Sequence, residues 1–438
     1  MLKKMLRGTI ALFFVMSIVA GAAALIMLPV FPTEIPLSPE AKSAPIDRKL
    51  AARGETLAKL GSCDSCHTRD GGAPYAGGRA LATPFGTIYS SNITPDLEKG
   101  IGGWTLAAFT RAMREGISRD GTHLYPAFPY DHFARVSDED IAAIYAYIMR
   151  NVDAAAESIP VTKLDFPFNI RQGLALWKAL YLPTQLQNNP AKDAEWNRGA
   201  YLVEGLGHCG ACHTPRNVLG AVKSGDDAYG GALVNGWYAP ALNKASPAPI
   251  PWTTKALVNY LMDGWDAQHG LAGGSMTAVS NALREQNEDD VFAIAAYVVS
   301  LQGGARPASQ QQERERSAKA FADAVEAAEP AGLKQDASLQ QGAAIFTARC
   351  AECHKPGGRS APLALGSAIH LPDPTNVVRV IVEGIKPPQG SLGRSMTAFG
   401  QQLSDAEIAA VTRYLRARFS TQPAWRDVEA KVAQARAK

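Results

Sequence analysis

The hydrophobic and polar positions of this chain repeat one order of helical segments at three places. Each copy starts with a short helix that carries a glycine, Gly54, Gly199 or Gly342. A Gly/Pro-rich loop follows, and then an amphipathic helix ends at a glycine that suits a helix C-cap, Gly116, Gly264 or Gly384. A closing helix begins after a capping sequence at Ser137, Asn287 or Ser404, and a tyrosine stands near its end, Tyr147, Tyr297 or Tyr414. Repetition at this scale predicts three copies of one mainly α domain in tandem.

The composition changes between the copies. Residues 151–193 contain several prolines and aromatics, which predicts an ordered connector that packs on a domain or on a partner. Residues 303–338 are rich in Ala, Gln, Glu and Arg, which predicts an exposed linker with one solvated helix, and residues 425–438 are similar and predict a solvated helix or a frayed tail. The predicted order is an N-terminal segment 1–36, a first domain 45–155, a connector 156–190, a second domain 191–303, a linker 304–336, a third domain 337–420 and a tail 421–438.

Residues 8–28 form an uncharged apolar stretch that follows three basic residues, Lys3, Lys4 and Arg7. Its length is enough to span a bilayer as one helix, with the basic flank on the cytoplasmic side. The alternative is a signal peptide that is removed after Ala20-Gly21-Ala22. Apolar residues continue past that position, which favours a retained transmembrane anchor. Both interpretations place the rest of the chain on the periplasmic side.

The chain has 438 residues and a formal net charge of +3. Its length suits two to four domains, which agrees with the three copies. A charge so close to balance argues against nucleic acid or a strongly charged partner.

All six cysteines stand in three Cys-x-x-Cys-His motifs: Cys63, Cys66 and His67; Cys209, Cys212 and His213; Cys350, Cys353 and His354. On one helical turn both thiols can form thioethers to one haem, and the histidine that follows can bind the iron from the same side. A thioredoxin-like pair or a zinc site would also use Cys-x-x-Cys, but neither needs a histidine directly after it. The sequence therefore predicts three covalently bound c-type haems, and it excludes structural disulfides if all six cysteines carry haem.

The repeat also predicts the sixth iron ligand of two haems. Met276 lies twelve residues after Gly264, and Met396 lies twelve residues after Gly384, both in expected loops before the closing helix. A thioether opposite histidine raises the haem potential and is common in electron transfer. We therefore expect Met276 and Met396 to be axial ligands.

The same count in the first copy reaches Phe128, which cannot bind iron. Either that haem is five-coordinate or a neighbour supplies the ligand, and His132 and His123 are the candidates on either side, with His132 preferred. Bis-histidine ligation would lower the potential of this haem relative to the other two. His269 and His370 are interpreted as surface or hydrogen-bonding residues.

Two further segments are more specific than the haem motifs. They are the loop Pro84-Phe85-Gly86-Thr87-Ile88-Tyr89-Ser90-Ser91-Asn92-Ile93-Thr94-Pro95-Asp96 with the Gly102-Gly103-Trp104-Thr105 that follows it, and Tyr125-Pro126-Ala127-Phe128-Pro129-Tyr130. With these segments, nearly the whole chain resembles the triheme cytochrome c subunits of membrane-bound dehydrogenases in acetic acid bacteria and related proteobacteria. The resemblance implies class I cytochrome c domains, in which an N-terminal and a C-terminal helix cross and haem fills the core. It also implies that electrons come from a separate catalytic subunit and pass to ubiquinone in the cytoplasmic membrane.

Partners in that family are quinoprotein alcohol dehydrogenases, flavin-dependent sugar or gluconate dehydrogenases, or molybdenum-containing aldehyde and isoquinoline oxidoreductases. The alcohol- and sugar-linked members carry methionine at the position of Phe128, and this chain also keeps an N-terminal apolar helix. Both departures resemble the molybdenum-type aldehyde dehydrogenase subunits. The resemblance therefore implies a molybdopterin catalytic subunit and a small iron-sulfur subunit as partners.

Two other functions compete with this one. An open first haem could react with peroxide or nitrite, but the sequence shows no clear set of acids or bases beside it. The chain could instead be a free-standing membrane-anchored electron carrier, which would leave the membrane without a partner.

Overall fold

The computed structural model describes residues 31–38, 47–304, 307–354, 360–387 and 394–437. The predicted membrane segment, residues 8–28, lies outside these ranges. Within them, every helix is too short or too polar to cross a bilayer. The chain forms two compact units, of which the first extends to Leu186 and the second starts at Gln187 and also takes in Lys59–Ser62. Mainly helical structure, as predicted, is confirmed in both.

The first unit contains the first copy and the connector. Its helices are α1 (Arg48–Leu60), α2 (Cys63–His67), α3 (Leu106–Glu115), α4 (Tyr130–Phe133), α5 (Asp138–Asn151) and α6 (Gly173–Tyr181). Strands β1 (Ala80–Thr83) and β2 (Gly86–Tyr89) form an antiparallel hairpin. Helix α3 ends at Gly116, where φ is 58°, and the Ser137 side chain accepts a hydrogen bond from the backbone N–H of Asp140 at the start of α5. The predicted end of one helix and start of the next are thus confirmed.

The second unit contains the other two copies. Its helices are α7 (Ala194–Tyr201), α8 (Gly210–His213), α9 (Thr254–Asp263), α10 (Ser275–Arg284), α11 (Glu288–Leu301), α12 (Ala308–Ala327), α13 (Ala337–Arg349), α14 (Ala351–His354), α15 (Ser367–His370), α16 (Thr375–Glu383), α17 (Asp405–Phe419) and α18 (Val428–Arg436). Two antiparallel hairpins join β3 (Ala232–Val234) to β4 (Trp237–Ala239) and β5 (Trp265–Asp266) to β6 (Gly270–Leu271). A capping box formed by Ser404 and Glu407 starts α17, as its sequence predicts.

The opening and closing helices cross at the predicted glycines in all three copies. A Cβ atom added at Gly54 would lie 1.8 Å from the carbonyl oxygen of Ala143. An added Cβ at Gly199 would lie 2.1 Å from the carbonyl oxygen of Ala293, and one at Gly342 would lie 2.3 Å from the carbonyl oxygen of Ala410. The next residue that the added Cβ would meet is the predicted tyrosine. The distance to the tyrosine Cβ would be 2.9 Å for Tyr147, 2.8 Å for Tyr297 and 2.6 Å for Tyr414. Only glycine permits backbones to approach so closely, so one sequence signal places the same helix pair three times.

The linker and the C-terminal segment differ from the predicted solvated structures. Helix α12 exists as predicted, but its Ala318 and Ala322 are buried in the core of the third copy. Val428 and Val432 of α18 are fully buried in the same core, together with Trp425. The prediction of a solvated or frayed tail was therefore wrong, because apolar residues four apart give α18 one face that packs on α16 and α17.

The connector packs on the first copy. The Trp177 ring meets the Tyr130 ring edge-on at a centroid distance of 5.9 Å. The buried Lys178 ammonium group donates hydrogen bonds to the carbonyl oxygens of Glu115, at 2.8 Å, and Gly116, at 3.2 Å. These two carbonyls end α3, where a cation is favourable for the helix dipole. The prediction that the connector is ordered and docked on a domain is thus confirmed.

Candidate haem attachment sites

Each Cys-x-x-Cys-His motif forms one helical turn directly after the opening helix of its copy. The first motif is α2 itself. In the second, the backbone N–H of His213 donates to the carbonyl of Cys209 at 3.0 Å, and in the third His354 donates to Cys350 at 3.1 Å. These bonds link residues four apart, so both thiols and the imidazole project from a single turn. The arrangement is the one that two thioethers and an iron ligand on one porphyrin require.

Two of the motif histidines are held by backbone carbonyls. Nδ1 of His67 donates to the carbonyl oxygen of Ser91 at 2.7 Å, and Nδ1 of His213 donates to that of Pro240 at 2.7 Å. A carbonyl only accepts, so Nδ1 carries the proton and Nε2 keeps its lone pair for a metal. Burial also lowers the pKa of His67, His213 and His354, which favours the neutral imidazole that binds iron. These side chains therefore fit the proximal ligand of a haem.

The motif thiols have an environment unlike that of a redox-active dithiol. Burial raises the pKa of the Cys63 and Cys209 thiols to about 12, and that of Cys350 to about 11. Reactive Cys-x-x-Cys pairs depend on a lowered thiol pKa at the attacking cysteine. The surroundings are thus poor for a thioredoxin-like reaction, whereas thioether formation consumes the thiol and needs no thiolate afterwards. Among the described residues, no group of three or more histidine, cysteine or acidic side chains converges as a separate metal site.

Met396 lies against the core of the third copy. Its backbone pairs with Ile385 through two hydrogen bonds of 2.9 Å, directly after the helix-ending Gly384. Its side chain packs on the apolar cluster that Cys350 also contacts. The structure therefore brings a predicted axial ligand and a predicted attachment residue of one haem to the same core.

Met276 lies in the first turn of α10 rather than in a loop as predicted. The preceding Gly274 has a φ of 57°, and a Cβ there would lie 2.4 Å from the ring of Trp237. This close approach turns the chain into α10 at Ser275. A distant aromatic ring, which the local sequence does not reveal, thus sets the start of the helix that carries Met276.

Both candidate histidines of the first copy are buried, with 2% of His123 and 4% of His132 exposed. In the sequence, Phe128 stands between these two histidines. Its ring packs on the Phe133 ring at a centroid distance of 5.4 Å. His132 is in the short helix α4. The backbone of His123 pairs with Ile117, the residue after the helix-ending Gly116, just as Met396 pairs with Ile385 after Gly384. In the second copy the residue at this place, Trp265, pairs with Leu271 and not with Met276. His123 thus corresponds by this pairing to Leu271 in the second copy and to Met396 in the third.

Two further histidines make hydrogen bonds within the fold. The ring nitrogens of buried His269 lie 2.7 Å from a carboxylate oxygen of Asp266 and 3.1 Å from the carbonyl oxygen of Ile250. The half-buried His370 bonds to the carbonyl oxygen of Ala364 at 2.8 Å. These contacts agree with the interpretation of both residues as hydrogen-bonding.

The structure adds one feature that the sequence reasoning missed, a polar contact between the second and third copies. Arg379, of which 8% is exposed, places its guanidinium 4.4 Å from the centre of the Trp237 ring and donates to the carbonyl of Gly236 at 3.0 Å. Asn376 and Tyr238 exchange hydrogen bonds of 2.7 and 2.8 Å. The sequence signal for this contact is an arginine within an apolar run, Val377-Val378-Arg379-Val380-Ile381.

This contact brings the two predicted methionine ligands into neighbouring segments. A Cβ at Gly273, three residues before Met276, would lie 3.7 Å from the side chain of Ile385, the residue that pairs with Met396. The second and third copies therefore meet along the segments that carry their expected axial ligands.

Comparisons with known proteins agree with this geometry. Residues 51–151 match the family model described as cytochrome c, and residues 337–415 match the model described as cytochrome c oxidase, cbb3-type, subunit III. The chain is 44% identical to a nicotinate dehydrogenase subunit of Pseudomonas putida over 88% of its own length, but it spans only 32% of that relative.

Two other relatives are covered over most of their length. The chain is 38% identical to the gluconate 2-dehydrogenase cytochrome c subunit of Pantoea cypripedii, over 84% of this chain and 85% of that one. It is 36% identical to the cytochrome c subunit of the quinone-type alcohol dehydrogenase of Gluconobacter oxydans, over 84% of this chain and 78% of that one. With the haem-binding geometry above, these matches show that the chain belongs to the family of cytochrome c electron-transfer subunits of dehydrogenase complexes.

Proposed function

We propose that this chain carries three c-type haems and passes electrons from a separate catalytic subunit, through those haems, to ubiquinone. The observation that supports three haems is the threefold helix crossing at Gly54, Gly199 and Gly342, each with a complete attachment motif at the end of its opening helix. Residues 8–28 hold the chain in the cytoplasmic membrane, and the haem-binding domains face the periplasm.

When bound, each haem supplies a one-electron iron couple. The six motif cysteines fix the porphyrin to the chain, and the carbonyls of Ser91 and Pro240 orient the histidines of the first two motifs. The thioethers of Met276 and Met396 favour the reduced state of the second and third irons. One thiol of the first motif and one of the third, Cys66 and Cys353, are exposed, so both turns lie at the edge of their cores.

A histidine completes the first site, which gives that haem a lower potential than the other two. His132 lies four residues after Phe128 and His123 five residues before it, and both side chains are buried. The two histidines lie in different elements, so single substitutions separate their roles.

The proposed partner is a molybdopterin dehydrogenase subunit with a small iron-sulfur subunit. Phe128 in place of methionine supports this partner through the family resemblance. The identity is 44% with a nicotinate dehydrogenase subunit, against 38% and 36% with the gluconate and alcohol dehydrogenase subunits, which favours a catalytic partner outside the gluconate and alcohol types. The alternative is a quinoprotein alcohol or flavin-dependent sugar or gluconate dehydrogenase, which the coverage of 85% of the gluconate dehydrogenase subunit supports.

Purification of the tagged full chain from its native membrane tests these partners. We expect a larger subunit to copurify and the sample to contain molybdenum and non-haem iron. A flavin or a quinone cofactor without molybdenum would identify the alternative partner. A chain that leaves the membrane with haem but with no second subunit would contradict the subunit role, and an untagged strain serves as the control.

A further inference from the structure

Helix α6 of the connector has an apolar side that no part of the described chain covers. Leu176 is 51% exposed and Leu180 is 61% exposed, and Ala179 between them is exposed as well. The one charged residue of the helix, Lys178, points the other way and is buried against the end of α3. The exposed side therefore carries no charge.

The turn before α6 extends this side with further exposed apolar residues. Phe166 is 77% exposed, Phe168 45% and Ile170 49%. We call the five side chains together the apolar surface: Phe166, Phe168, Ile170, Leu176 and Leu180. Asp165, directly before Phe166, is the exposed acidic residue beside this cluster. A group of exposed apolar side chains of this kind is unusual on a soluble surface and marks a place where a partner or a membrane binds.

The apolar surface is held in place by the first copy. The Phe168 ring packs on the Phe85 ring at a centroid distance of 4.7 Å, and the Tyr125 hydroxyl donates to the carbonyl of Phe168 at 3.0 Å. Arg171 lies over the Tyr125 ring at 4.1 Å and donates to the carbonyl of His123 at 2.8 Å. The exposed rings and leucines are thus presented by an ordered scaffold.

The chain that precedes the first copy arrives at the same place. The described segment 31–38 runs along the turn after α3, where the Arg111 guanidinium donates to the carbonyl of Thr33 at 2.7 Å and the backbone N–H of Ile35 donates to the carbonyl of Arg119 at 2.8 Å. A Cβ at Gly121 would lie 2.2 Å from the carbonyl oxygen of Pro32. Gly121 is two residues from His123, whose carbonyl binds Arg171 of the connector. Pro32 and the connector residue Arg171 therefore both contact the short loop 121–123 of the first unit.

We infer that the apolar surface is a lipid contact, which rests in the headgroup and upper acyl region of the bilayer beside the anchor. This inference rests on the proposed membrane attachment by residues 8–28. A single helix leaves the attached unit free to tilt and rotate, whereas a second, rigid apolar contact next to the point of exit fixes one face of the first unit toward the lipid. Uncharged side chains that enter the interfacial region are stabilised in proportion to the apolar area they bury there. Lys163, which is exposed shortly before Phe166 in the chain, can meet an anionic headgroup.

Photolabelling from the lipid tests this contact. The intact complex is reconstituted in vesicles of phosphatidylethanolamine and phosphatidylglycerol that contain a lipid with a diazirine in its acyl chain. After irradiation, labelled peptides are identified by mass spectrometry. We expect label in residues 8–28 and also in residues 161–181. The double substitution Leu176→Gln and Leu180→Gln should reduce the label in 161–181 to background and leave haem content unchanged, because both side chains are exposed.

The matched control is Val218→Gln with Leu219→Gln, two apolar residues that are 92% and 50% exposed in the second unit. This control should leave the labelling pattern unchanged. Label in 8–28 without label in 161–181 would overturn the inference and keep the anchor. Absence of label from both segments would overturn the lipid contact and also the proposed anchor. If 161–181 takes no lipid label and an added lysine-reactive cross-linker joins Lys163 to another subunit, the surface is a protein interface and the lipid contact is overturned.

Discussion

Substitution of Gly199 by alanine should loosen the second copy alone. The new Cβ would lie 2.1 Å from the carbonyl oxygen of Ala293 and 2.8 Å from the Cβ of Tyr297. An ordinary contact is about 3.4 Å, so α7 and α11 must separate by about 1.3 Å at their crossing. Overpacking of this kind costs about 1–3 kcal/mol.

The separation also weakens bonds on both sides of the crossing. Arg198 donates to the two carboxylate oxygens of Asp290 at 2.7 and 2.8 Å, and the indole N–H of Trp196 donates to the Ser300 hydroxyl at 2.9 Å. Loss of these hydrogen bonds destabilises the second copy by about 1–2 kcal/mol. The higher helix propensity of alanine stabilises it by about 1 kcal/mol. We therefore expect a net loss of about 1–4 kcal/mol, which is about a 5- to 900-fold increase in local opening.

Hydrogen exchange with mass spectrometry measures this opening for each segment. Amides of α7 and α11 should exchange faster in Gly199→Ala, while those of α1 and α5 should keep their rates. Gly173→Ala is the matched control, since a Cβ at Gly173 meets nothing within 4 Å. Unchanged exchange in α7 and α11 would refute the glycine contact as the basis of the crossing.

Three further predictions concern the haems and the connector. Intact mass after denaturation should equal the chain plus three haems, and a mass with two or fewer in fully matured protein would contradict the attachment prediction. His123→Ala and His132→Ala should differ, since only the true ligand changes the low-spin spectrum of one haem, and an unchanged spectrum in both would reject bis-histidine ligation. Burial lowers the pKa of Lys178 to about 8, from 10.5 for an exposed lysine. The folded first unit therefore binds this proton less tightly than the unfolded chain, so its stability should rise as the pH increases from about 8 to 10.5. Urea unfolding of the Lys178→Met variant should lack that rise, and an equal rise in both proteins would show that other groups cause it.

Helix starts and helix crossings that depend on local or repeated sequence patterns could be predicted from the sequence. Ser137 and Ser404 are capping residues, and their helices start where those residues stand. Gly54 and Tyr147 meet at a crossing because the same pair recurs in each copy. These features depend on neighbours in the chain or on repetition, and both are visible without coordinates.

Long-range contacts determine what could not be predicted. The helix that carries Met276 starts where it does because Gly274 lies against Trp237, about forty residues away in the chain. Counting residues also fails between copies when loop lengths differ. The residue after the helix-ending glycine pairs with a residue 6 positions on in the first two copies, Ile117 with His123 and Trp265 with Leu271. In the third copy Ile385 pairs with Met396, 11 positions on, and this difference is visible only in the fold.

The buried C-terminal helix has a consequence for how the chain folds during synthesis and export. Trp425, Val428 and Val432 complete the hydrophobic core that surrounds the third attachment turn. That core cannot close until residues 425–436 have emerged, whereas the first crossing needs only residues up to α5. The core of the third copy therefore closes later in synthesis than the first crossing does, and the turn that carries Cys350 packs against a complete core only then.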